Sequence, residues 1–392
     1  MYVVFVAPRY HTNQHYWVTA LQDAGHRVGF LVVSREGLEE TSRLDPEVLA
    51  LARVYRARKA IAARLFRRRL NDKKQGHPPL AAYLRRFRAE RPSALIIRDP
   101  FLPSSRRALL AARLLRIPII LYTQHQRRHA RVTLRLRALQ LARFLAAGAP
   151  MITPVEGEEV DVTCGAPARP LPGWWYLPFV MPPAPPAGYE RRQWCPGGVR
   201  RIVTVAKFLP RKNHLLLVRA LEPLAAGYPL RLDIYGGHDT PEYHAKYEEL
   251  RAYLAAHSIE WVRLHEPVAW EELQRRFADY DLYVLPSRNE QVGVSLLEAM
   301  GKGLPVVCST TAGARDYVEH GGNGRIFESD SPESLRAELS AALADPRELR
   351  RMGEQSLALV RTRHSAERFL ARFGEVVRAA GVFRNAPGTG AD

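Results

Sequence analysis

The chain has 392 residues, of which 46% are hydrophobic and 25% charged, and its formal net charge is +18. These values exclude a disordered or fibrous protein, and the length allows two ordinary domains, each with its own core. Three widely spaced cysteines, Cys164, Cys195 and Cys308, exclude a disulfide framework or a zinc motif and indicate a reducing compartment.

The pattern of apolar residues predicts neither a secretion signal nor a membrane-spanning helix. Met1 leads directly into a short apolar run without a basic region, which predicts no secretion signal. The most apolar longer stretch, residues 108–122, is interrupted by Arg113 and Arg116, so we expect no membrane-spanning helix. We therefore expect a cytoplasmic protein.

The positive charge is concentrated in the first half of the chain. Residues 101–155 contain ten arginines and no acidic residue, and residues 51–90 contain thirteen lysines or arginines. Such a surface attracts anionic lipid, nucleic acid or a phosphorylated substrate, and charge alone does not choose among them. Arginine-rich, solvated helix faces are an equally good interpretation.

Short apolar runs alternate with amphipathic segments along the chain. The first series of predicted strands lies at residues 2–6, 27–33, 94–97, 118–122 and 150–153, and the second at 201–205, 230–235, 260–264, 282–285 and 305–309. Apolar runs without polar alternation are typical of parallel strands covered by helices on both faces. The sequence therefore predicts an α/β protein with two doubly wound, Rossmann-like sheets.

Proline and glycine mark the predicted domain boundaries. Residues 181–198, which read MPPAPPAGYERRQWCPGG, are predicted to be a linker between a first domain at 1–180 and a second at 199–364. A serine cap and an acidic first turn predict a helix from residue 332. We expect a last helix within residues 365–384, packed back on the first domain, and a disordered tail at 385–392.

The most informative turn follows the predicted strand at residues 282–285. It reads PSRNEQVGVSLLEAMGKGLPVV, with Glu290 in the turn and Glu298 about one turn into the next helix. Gly293 lets the backbone approach a ligand, and the positive end of that helix favours an anion such as a diphosphate. Glu298 would then bind a ribose diol. Taken singly, each acid is more simply a solvated loop or helix residue.

Two lysines follow the predicted strand at residues 201–205, in the segment AKFLPRKNH. Lys207 and Lys212 would neutralise the charge that grows on a leaving diphosphate. As an isolated pair, they are more simply surface lysines. Gly236, in the YGG turn after the next strand, is a further point of close backbone approach.

Four segments in this order resemble one known family. They read VTVAKFLPRKN, LDIYGG, DLYVLPSRNEQVGVSLLEAMGKGLPVV and GARDYVEHGGNGRIF, and they lie within residues 201–352. They resemble the donor-binding half of the retaining family-four glycosyltransferases, also called glycosyl transferases group 1. That family has the GT-B fold, in which two Rossmann-like domains face each other across a cleft. The paired glutamates followed by AMGKGLPVV are the most specific part.

The resemblance implies a role for each matching position. Lys207 and Lys212 bind the phosphates, Glu290 lies near the sugar and Glu298 at the ribose. The other implied donor-binding positions are Gly236, Val292, Gly293, Val294 and Leu297. The family's usual Gly-Arg and Lys-Gly pairs are Ala206-Lys207 and Lys212-Asn213 here, so the forked guanidinium is lost and weaker diphosphate binding is expected.

The first half resembles the acceptor-side half of the same family at RPSALIIRDP and RIPIILYTQHQ. There the resemblance implies that His125 faces the transferred sugar, so His125, Glu290 and Lys212 are the catalytic candidates. His129, four residues later, would share a helical face with His125. A solvated or packing role is the simpler interpretation of His129.

The loop after the first strand departs from the family, which commonly has paired glycines there. We interpret its polar residues as acceptor-binding, and they are Arg9, His11, Thr12, Asn13 and Gln14. His11 and His15 have a spacing that suits a metal ion, but no third ligand is evident.

A further acidic triplet, Asp279-Tyr280-Asp281, has the DxD spacing of metal-dependent transferases. It precedes a predicted buried strand where the family has a structural acid, so we assign it no metal. No cofactor is expected, because the nucleotide sugar is itself the substrate.

The resemblance implies a retaining, metal-independent hexosyltransferase. Its donor would be a UDP- or GDP-sugar and its acceptor a hydroxyl of a glycan or lipid-linked molecule, in lipopolysaccharide or other surface polysaccharide assembly. Two alternatives stay open: a catalytically silent nucleotide-sugar-binding subunit and a GT-B-fold sugar-nucleotide epimerase. Nucleic acid is not an expected partner, because no recognition-helix, RNP or KH motif accompanies the charge.

A basic amphipathic segment in the first half of the chain suggests a role for its positive charge. Residues 53–70 read RVYRARKAIAARLFRRRL. In related enzymes that act on lipid-linked sugars, an arginine-rich face of this domain rests on the anionic membrane. We therefore expect peripheral docking on the inner face of the plasma membrane.

Overall fold

The chain forms two units in a computed structural model that describes residues 1–35, 40–66, 70–160 and 165–382. The first unit comprises Met1–Val180 and the chain from Ala366, and the second is Met181–Ser365. Cys164 and the predicted tail at 385–392 lie outside the described residues.

The first unit is built on parallel strands. Its strands are β1 (Tyr2–Val6), β2 (Arg27–Val32), β3 (Glu47–Val48), β4 (Ala94–Arg98), β5 (Ile119–Tyr122), β6 (Arg128–His129), β7 (Met151–Thr153), β8 (Arg169–Pro170) and β9 (Trp174–Tyr176). Seven of them form one parallel sheet in the order β3-β2-β1-β4-β5-β7-β9, and β6 pairs antiparallel with β8. The order reverses between β1 and β4, which is where such sheets bind ligands.

Helices cover this sheet on both sides. They are α1 (His15–Asp23), α2 (Arg53–Phe66), α3 (Asp72–Gln75), α4 (Leu80–Glu90), α5 (Pro103–Leu114) and α6 (Leu134–Leu145). The apolar strand residues that the sequence marked, such as Val4, Leu95 and Leu121, form the core between the layers. No helix among the residues described above is both long and apolar enough to cross a bilayer.

The second unit repeats the plan. Its strands are β10 (Arg200–Val205), β11 (Leu230–Tyr235), β12 (Val262–His265), β13 (Leu282–Leu285), β14 (Val306–Ser309) and β15 (Gly324–Phe327), and its helices are α7 (His214–Leu221), α8 (Pro241–Ala256), α9 (Trp270–Arg276), α10 (Val294–Gly301), α11 (Pro332–Leu343) and α12 (Pro346–Arg363). The six strands are parallel in the order β12-β11-β10-β13-β14-β15. The order reverses between β10 and β13.

The predicted α/β, doubly wound architecture is confirmed. All ten predicted strands are present, with bounds that shift by at most two residues. At the predicted start of α11, the side chain of Ser331 accepts a hydrogen bond from the Ser334 N–H, as a serine cap should. The strands that the sequence did not reveal, β3, β6, β8, β9 and β15, have two to four residues, too few to show an apolar period.

Residues 181–198, the predicted linker, pack on the second unit. Tyr189 and Cys195 are buried, and the Tyr189 hydroxyl donates a hydrogen bond of 2.8 Å to the Gly303 carbonyl. The proline-rich composition therefore reflects an irregular path over a surface.

The last helix, α13 (Ala366–Ala379), belongs to the first unit. Its Phe369 ring stacks on Trp17 of α1, with 5.6 Å between ring centroids. Trp17 is fully buried, and its indole N–H donates to the Pro178 carbonyl at 2.8 Å. The end of the chain thus completes the core of the unit in which the chain began.

Candidate functional site

Four loops meet at the carboxyl edge of the second sheet. A Cβ on Gly236, after β11, would lie 2.1 Å from the Ala206 carbonyl oxygen, after β10, so glycine is needed for this approach. After β13, the Arg288 N–H donates to the Arg211 carbonyl at 2.9 Å. After β14, the Gly313 N–H donates to the carbonyl of Glu290 at 2.7 Å. The loops after β10 and β13 flank the point where the strand order reverses.

Glu290 and Lys212 form an ion pair in these loops. The Glu290 carboxylate accepts hydrogen bonds from Lys212 Nζ and from Arg211 Nη1. The side chains of Glu290 and Lys212 are each 12% exposed, whereas that of Arg211 is 40% exposed. The structure thus brings two predicted catalytic residues together and adds Arg211, which the sequence analysis did not single out.

The charges of this pair reinforce each other. Burial by itself would raise the pKa of Glu290, but Lys212 and Arg211 outweigh it, and the Glu290 pKa lies below its usual range. Burial lowers the pKa of Lys212, Glu290 opposes this shift, and the nearby Arg211 adds to it. Glu290 is therefore ionised at neutral pH and cannot act there as a proton donor.

A glycine with a left-handed backbone starts the helix beside this pair. Gly293 caps α10 with φ +81°, and a Cβ there would lie 2.6 Å from Leu285 Cδ2. The N–H groups of a first helical turn have no partner within the helix, and they carry the positive end of its dipole. The loop and the helix start therefore offer an anion both side-chain cations and backbone donors.

Two predicted donor-binding side chains lie in the core. Leu297 is fully buried and Val292 is 3% exposed. Both side chains pack inside the unit, and Val292 and Leu297 stay predicted donor-binding positions. Any contribution from these positions falls to the backbone amides, as at Val294 and Gly293.

Glu298 occupies a different environment from Glu290. Its residue is 7% exposed, and its Oε1 accepts a hydrogen bond of 3.0 Å from the Trp270 indole N–H. Burial raises the pKa of Glu298 to about 7, although Trp270 and Lys302 act in the opposite direction. The two predicted glutamates thus differ in charge near neutral pH.

Lys207 is the more exposed of the two predicted lysines. Its side chain is 48% exposed, and Nζ lies 3.7 Å from Asp239 Oδ1. The same Nζ is 5.9 Å from the centre of the Tyr243 ring. Lys207 is thus a half-exposed cation and is not a member of the buried pair.

His125 follows β5 in the first unit, where the sequence predicted it. Its N–H donates to Thr123 Oγ1 at 3.3 Å, and Thr153 Oγ1 donates to its carbonyl at 2.6 Å. Burial lowers the pKa of His125, and Arg135 and His129 add to that effect. The imidazole is therefore neutral at physiological pH and can donate one hydrogen bond and accept another.

The predicted helical face shared by His125 and His129 is wrong. His129 lies in the two-residue strand β6, and its Nε2 is 2.7 Å from the Gln126 carbonyl. Its ring packs edge-on against Trp174. A packing role for His129 agrees with these contacts.

The predicted acceptor loop lies at the carboxyl edge of the first sheet. Arg9 Nε donates to His11 Nε2 at 3.2 Å. Gln14 is fully buried, and neither of its amide atoms has a hydrogen-bond partner; the same is true of the buried Asn13 Oδ1. The side chain of Thr12 lies outside what the structure describes.

The two candidate metal features of the sequence have other contacts. His15 Nδ1 lies 3.9 Å from Glu40 Oε1. Asp281 is fully buried, and its carboxylate accepts two hydrogen bonds from the Arg201 guanidinium, at 2.9 and 2.7 Å. It also accepts from the Cys195 N–H at 3.2 Å, which is what a structural acid does. Among the residues that the structure describes, no group of three or more His, Cys, Asp or Glu side chains is arranged so that it could hold a metal ion.

Comparison with known proteins agrees with this geometry. Residues 191–358 match the family model described as glycosyl transferases group 1. The chain is 31% identical over 211 residues to a D-inositol 3-phosphate glycosyltransferase of Thermobispora bispora, which covers 51% of this chain and 46% of that protein. It is 28% identical over 166 residues to the lipopolysaccharide core biosynthesis mannosyltransferase LpcC of Rhizobium leguminosarum, covering 42% and 47%. The matched region thus spans less than half of each relative.

Solved structures resemble the whole chain. The Anabaena protein HepE, in complex with UDP and glucose, superimposes with a TM-score of 0.69 at 15% identity and covers 96% of this chain and 99% of its own. Sucrose-phosphate synthase of Thermosynechococcus elongatus gives a TM-score of 0.69 at 15% identity, with 98% and 100% covered. At these identities the likeness establishes the fold, which is the predicted GT-B class.

Proposed function

We infer that this chain, whose residues 191–358 match the model of the group 1 glycosyltransferases, moves a hexose-type sugar from a UDP- or GDP-sugar to a hydroxyl of a glycan or lipid-linked acceptor. The observation that carries this proposal is the buried pair of Lys212 and Glu290 beside the glycine-capped start of α10. It supplies fixed positive charge and backbone donors where a leaving diphosphate develops charge. The relative named for lipopolysaccharide core biosynthesis supports a role in surface polysaccharide assembly.

The proposed reaction exchanges one bond at the anomeric carbon for another. The bond from that carbon to the diphosphate oxygen breaks, and a bond to the acceptor oxygen forms on the same face, so the configuration is retained. The acceptor proton passes to an oxygen of the leaving diphosphate. Lys212, Arg211 and the first turn of α10 stabilise the negative charge of that group.

Glu290 then orients the site and is not a nucleophile. Its carboxylate is ionised and engaged by Lys212 and Arg211. A carboxylate nucleophile in a retaining glycosidase works with a second carboxyl group about 5 Å away. Here the second glutamate, Glu298, accepts a hydrogen bond from Trp270 and is proposed to bind the ribose.

The first unit is proposed to supply the acceptor side. His125, neutral and held by Thr123 and Thr153, is proposed to face the sugar as a hydrogen-bonding group. The loop with Arg9, His11, Asn13 and Gln14 is proposed to bind the acceptor. Its buried, unpartnered amide atoms support this, because such atoms are costly unless a ligand or water pairs them.

Nucleotide binding tests the proposal. We expect UDP or GDP, but not both equally, to raise the Tm of the wild-type protein by about 5–10 °C at a concentration near 100 times Kd. Glu298→Ala should lose most of this shift because the ribose loses its acceptor. Calorimetric titration with UDP, GDP, ADP and their sugar conjugates measures the same effect as an affinity.

A matched glutamate serves as the control for this titration. Glu354→Ala, which alters a half-exposed residue paired with Arg350 on α12, should bind as the wild type does. Absence of binding by every nucleotide contradicts the proposal. Binding without transfer or donor hydrolysis supports a catalytically silent subunit, and release of an isomerised sugar nucleotide supports an epimerase.

The first unit also has a surface suited to an anionic membrane, and we propose that it docks there. On α6, Leu134 and Phe144 are 82% and 75% exposed, and Leu141 and Leu145 are exposed beside them. Neither α5 nor α6 contains an acidic residue. The basic helix singled out by the sequence, α2, likewise exposes apolar side chains, namely Val54, Ile61 and Leu65. Exposed apolar residues among arginines are typical of helices that lie in a membrane interface.

Vesicle partition tests this surface. We expect the wild-type protein to bind vesicles with 30% anionic lipid at low salt and to leave them at high salt, because arginines are screened. Replacing Leu141 and Phe144 by Gln should weaken partition roughly 30-fold, since about 2 kcal/mol of apolar burial is lost. Val48→Gln, at an exposed position of β3, is the matched control. Equal partition of the Leu141/Phe144 variant and the control would remove the proposal.

A further inference from the structure

A buried arginine lies where the strand order of the first sheet reverses. Arg98 is the last residue of β4 and is 8% exposed. β4 pairs with β1 on one side, where Val6 is the partner of Ile97, and with β5 on the other, where Tyr122 is the partner of Arg98. The Arg98 side chain therefore stands between the loops that follow these two strands, at the position where a doubly wound sheet binds its ligand.

The guanidinium of Arg98 is only partly satisfied. Its Nη2 donates to Gln124 Oε1 at 3.0 Å, and its centre lies 5.4 Å from the centre of the Tyr122 ring. Nε and Nη1 have no hydrogen-bond partner. Asp99 Oδ2 lies 3.4 Å from Nε and forms an ion pair with it, but the Asp99 side chain is 46% exposed to water. A buried cation with free donors is costly unless an anion binds it.

The loop after β1 surrounds this arginine with further polar groups. Arg9 donates to His11, and both Arg98 and Arg9 add to burial in lowering the pKa of His11, so the two cations lie close to a neutral imidazole. Tyr10 is buried with a hydroxyl that has no partner, as are the amide atoms of Gln14. Glu40, which follows β2, adds to burial in raising the pKa of Tyr10, and its Oε1 lies 3.9 Å from His15 Nδ1.

We propose that Arg98, with Arg9 and His11, binds a phosphate group carried by the acceptor substrate. Two arginines beside one exposed acid suit a dianion such as a phosphate monoester, and guanidinium groups bind phosphate through charge-assisted hydrogen bonds. The donor diphosphate is provided for separately, by Lys212 and Arg211 in the second unit. This inference rests on the proposed function, since it specifies which acceptors the first unit receives.

Phosphate titration in the presence of saturating nucleotide tests the inference. Occupying the second unit with UDP or GDP leaves the first unit to report on inorganic phosphate, measured by ³¹P NMR line broadening against chloride of equal ionic strength. We expect millimolar binding by the wild type, at least tenfold weaker binding by Arg98→Gln, and an intermediate affinity for Arg98→Lys. Arg85→Gln, which alters an exposed arginine on α4, should bind as the wild type does.

A structural role for Arg98 would give a different result. Because Arg98→Gln removes a buried charge whose partner, Asp99, is 46% exposed to water, the Tm of the unliganded variant should equal or exceed that of the wild type. The inference would be overturned if Arg98→Gln lowered the Tm and Arg98→Lys restored it without restoring phosphate binding. That result would show that the Arg98 side chain only packs. Unchanged phosphate affinity in Arg98→Gln would also overturn it.

The donor site provides the remaining check. Absence of phosphate binding by the wild type once nucleotide is bound would assign the oxyanion site to the donor diphosphate and overturn the inference. If no nucleotide binds at all, the proposed function fails, and the same titration is made in the Lys212→Met background. Loss of phosphate binding on adding Arg98→Gln to that background would still support an oxyanion site in the first unit.

Discussion

Replacing Lys212 by Met should lower the rate constant of sugar transfer by about 10²- to 10³-fold, with a much smaller change in the KM for the donor. One positively charged donor aimed at the leaving group contributes on this scale when water is excluded from it. The Lys212 side chain is 12% exposed, so its charge is poorly screened. Initial-rate measurements with the donor identified by nucleotide binding provide the test.

A second variant separates catalysis from packing at this pair. Lys212→Met leaves the Glu290 carboxylate paired with Arg211 alone, so part of any rate loss could come from a distorted loop. Lys212→Met combined with Glu290→Gln removes both charges and should recover Tm without recovering transfer. Recovery of transfer in that double variant would contradict the role of Lys212 at the leaving group. Lys246→Met, at an exposed lysine paired with Glu249 on α8, is the matched control.

The positions of Glu290, Lys212 and Gly293 could be predicted from the sequence because the relevant patterns are local. An apolar run marks each buried parallel strand, and the residues just after it lie at the carboxyl edge of the sheet. Gly293 adds a helix start that favours glycine, because its φ is +81°. Which loop cation meets Glu290 could not be predicted, since Arg211 and Lys212 are neighbours and the path of the loop decides it.

Arg98 shows what local pattern could not reveal. In ALIIRDP it is a charged residue that ends an apolar run, and such a residue is ordinarily solvated. It is buried because β4 lies between β1 and β5, an arrangement that depends on pairing between distant parts of the chain. The one sequence signal was its place at the carboxyl end of a predicted strand.

Side-chain direction and long-range packing are the features that the sequence did not reveal. Leu297 precedes Glu298 on α10, but it points into the core while the carboxylate of Glu298 reaches Trp270. Residues 181–198 read as a linker because proline and glycine break regular elements. Their burial depends on Tyr189 meeting Gly303, a contact that spans 114 residues and leaves no local trace.

The affinity for the nucleotide should increase about tenfold between pH 6 and pH 8, with a midpoint near pH 7. Burial raises the pKa of Glu298 to about 7, so roughly nine-tenths of this carboxyl group holds its proton at pH 6 and about one-tenth at pH 8. The ionised form is the stronger acceptor for two ribose hydroxyls. Calorimetry in buffers with different ionisation enthalpies should also show a proton released on binding at pH 6. Glu298→Gln should bind more weakly, with little dependence on pH in this range.

The stability of the unliganded protein should change with pH in the opposite direction. The folded-state pKa of Glu298, about 7, lies above its ordinary value of 4.5, so the protonated form favours folding. This contribution is complete below pH 4.5 and is lost as the pH rises through 7, by an amount on the order of 3 kcal/mol at most. Glu298→Gln imitates the protonated form and should therefore gain stability relative to the wild type between pH 5 and pH 8. A wild-type affinity that does not vary with pH would contradict the role of Glu298 at the ribose, and a Gln variant with no relative gain in stability would contradict its raised pKa.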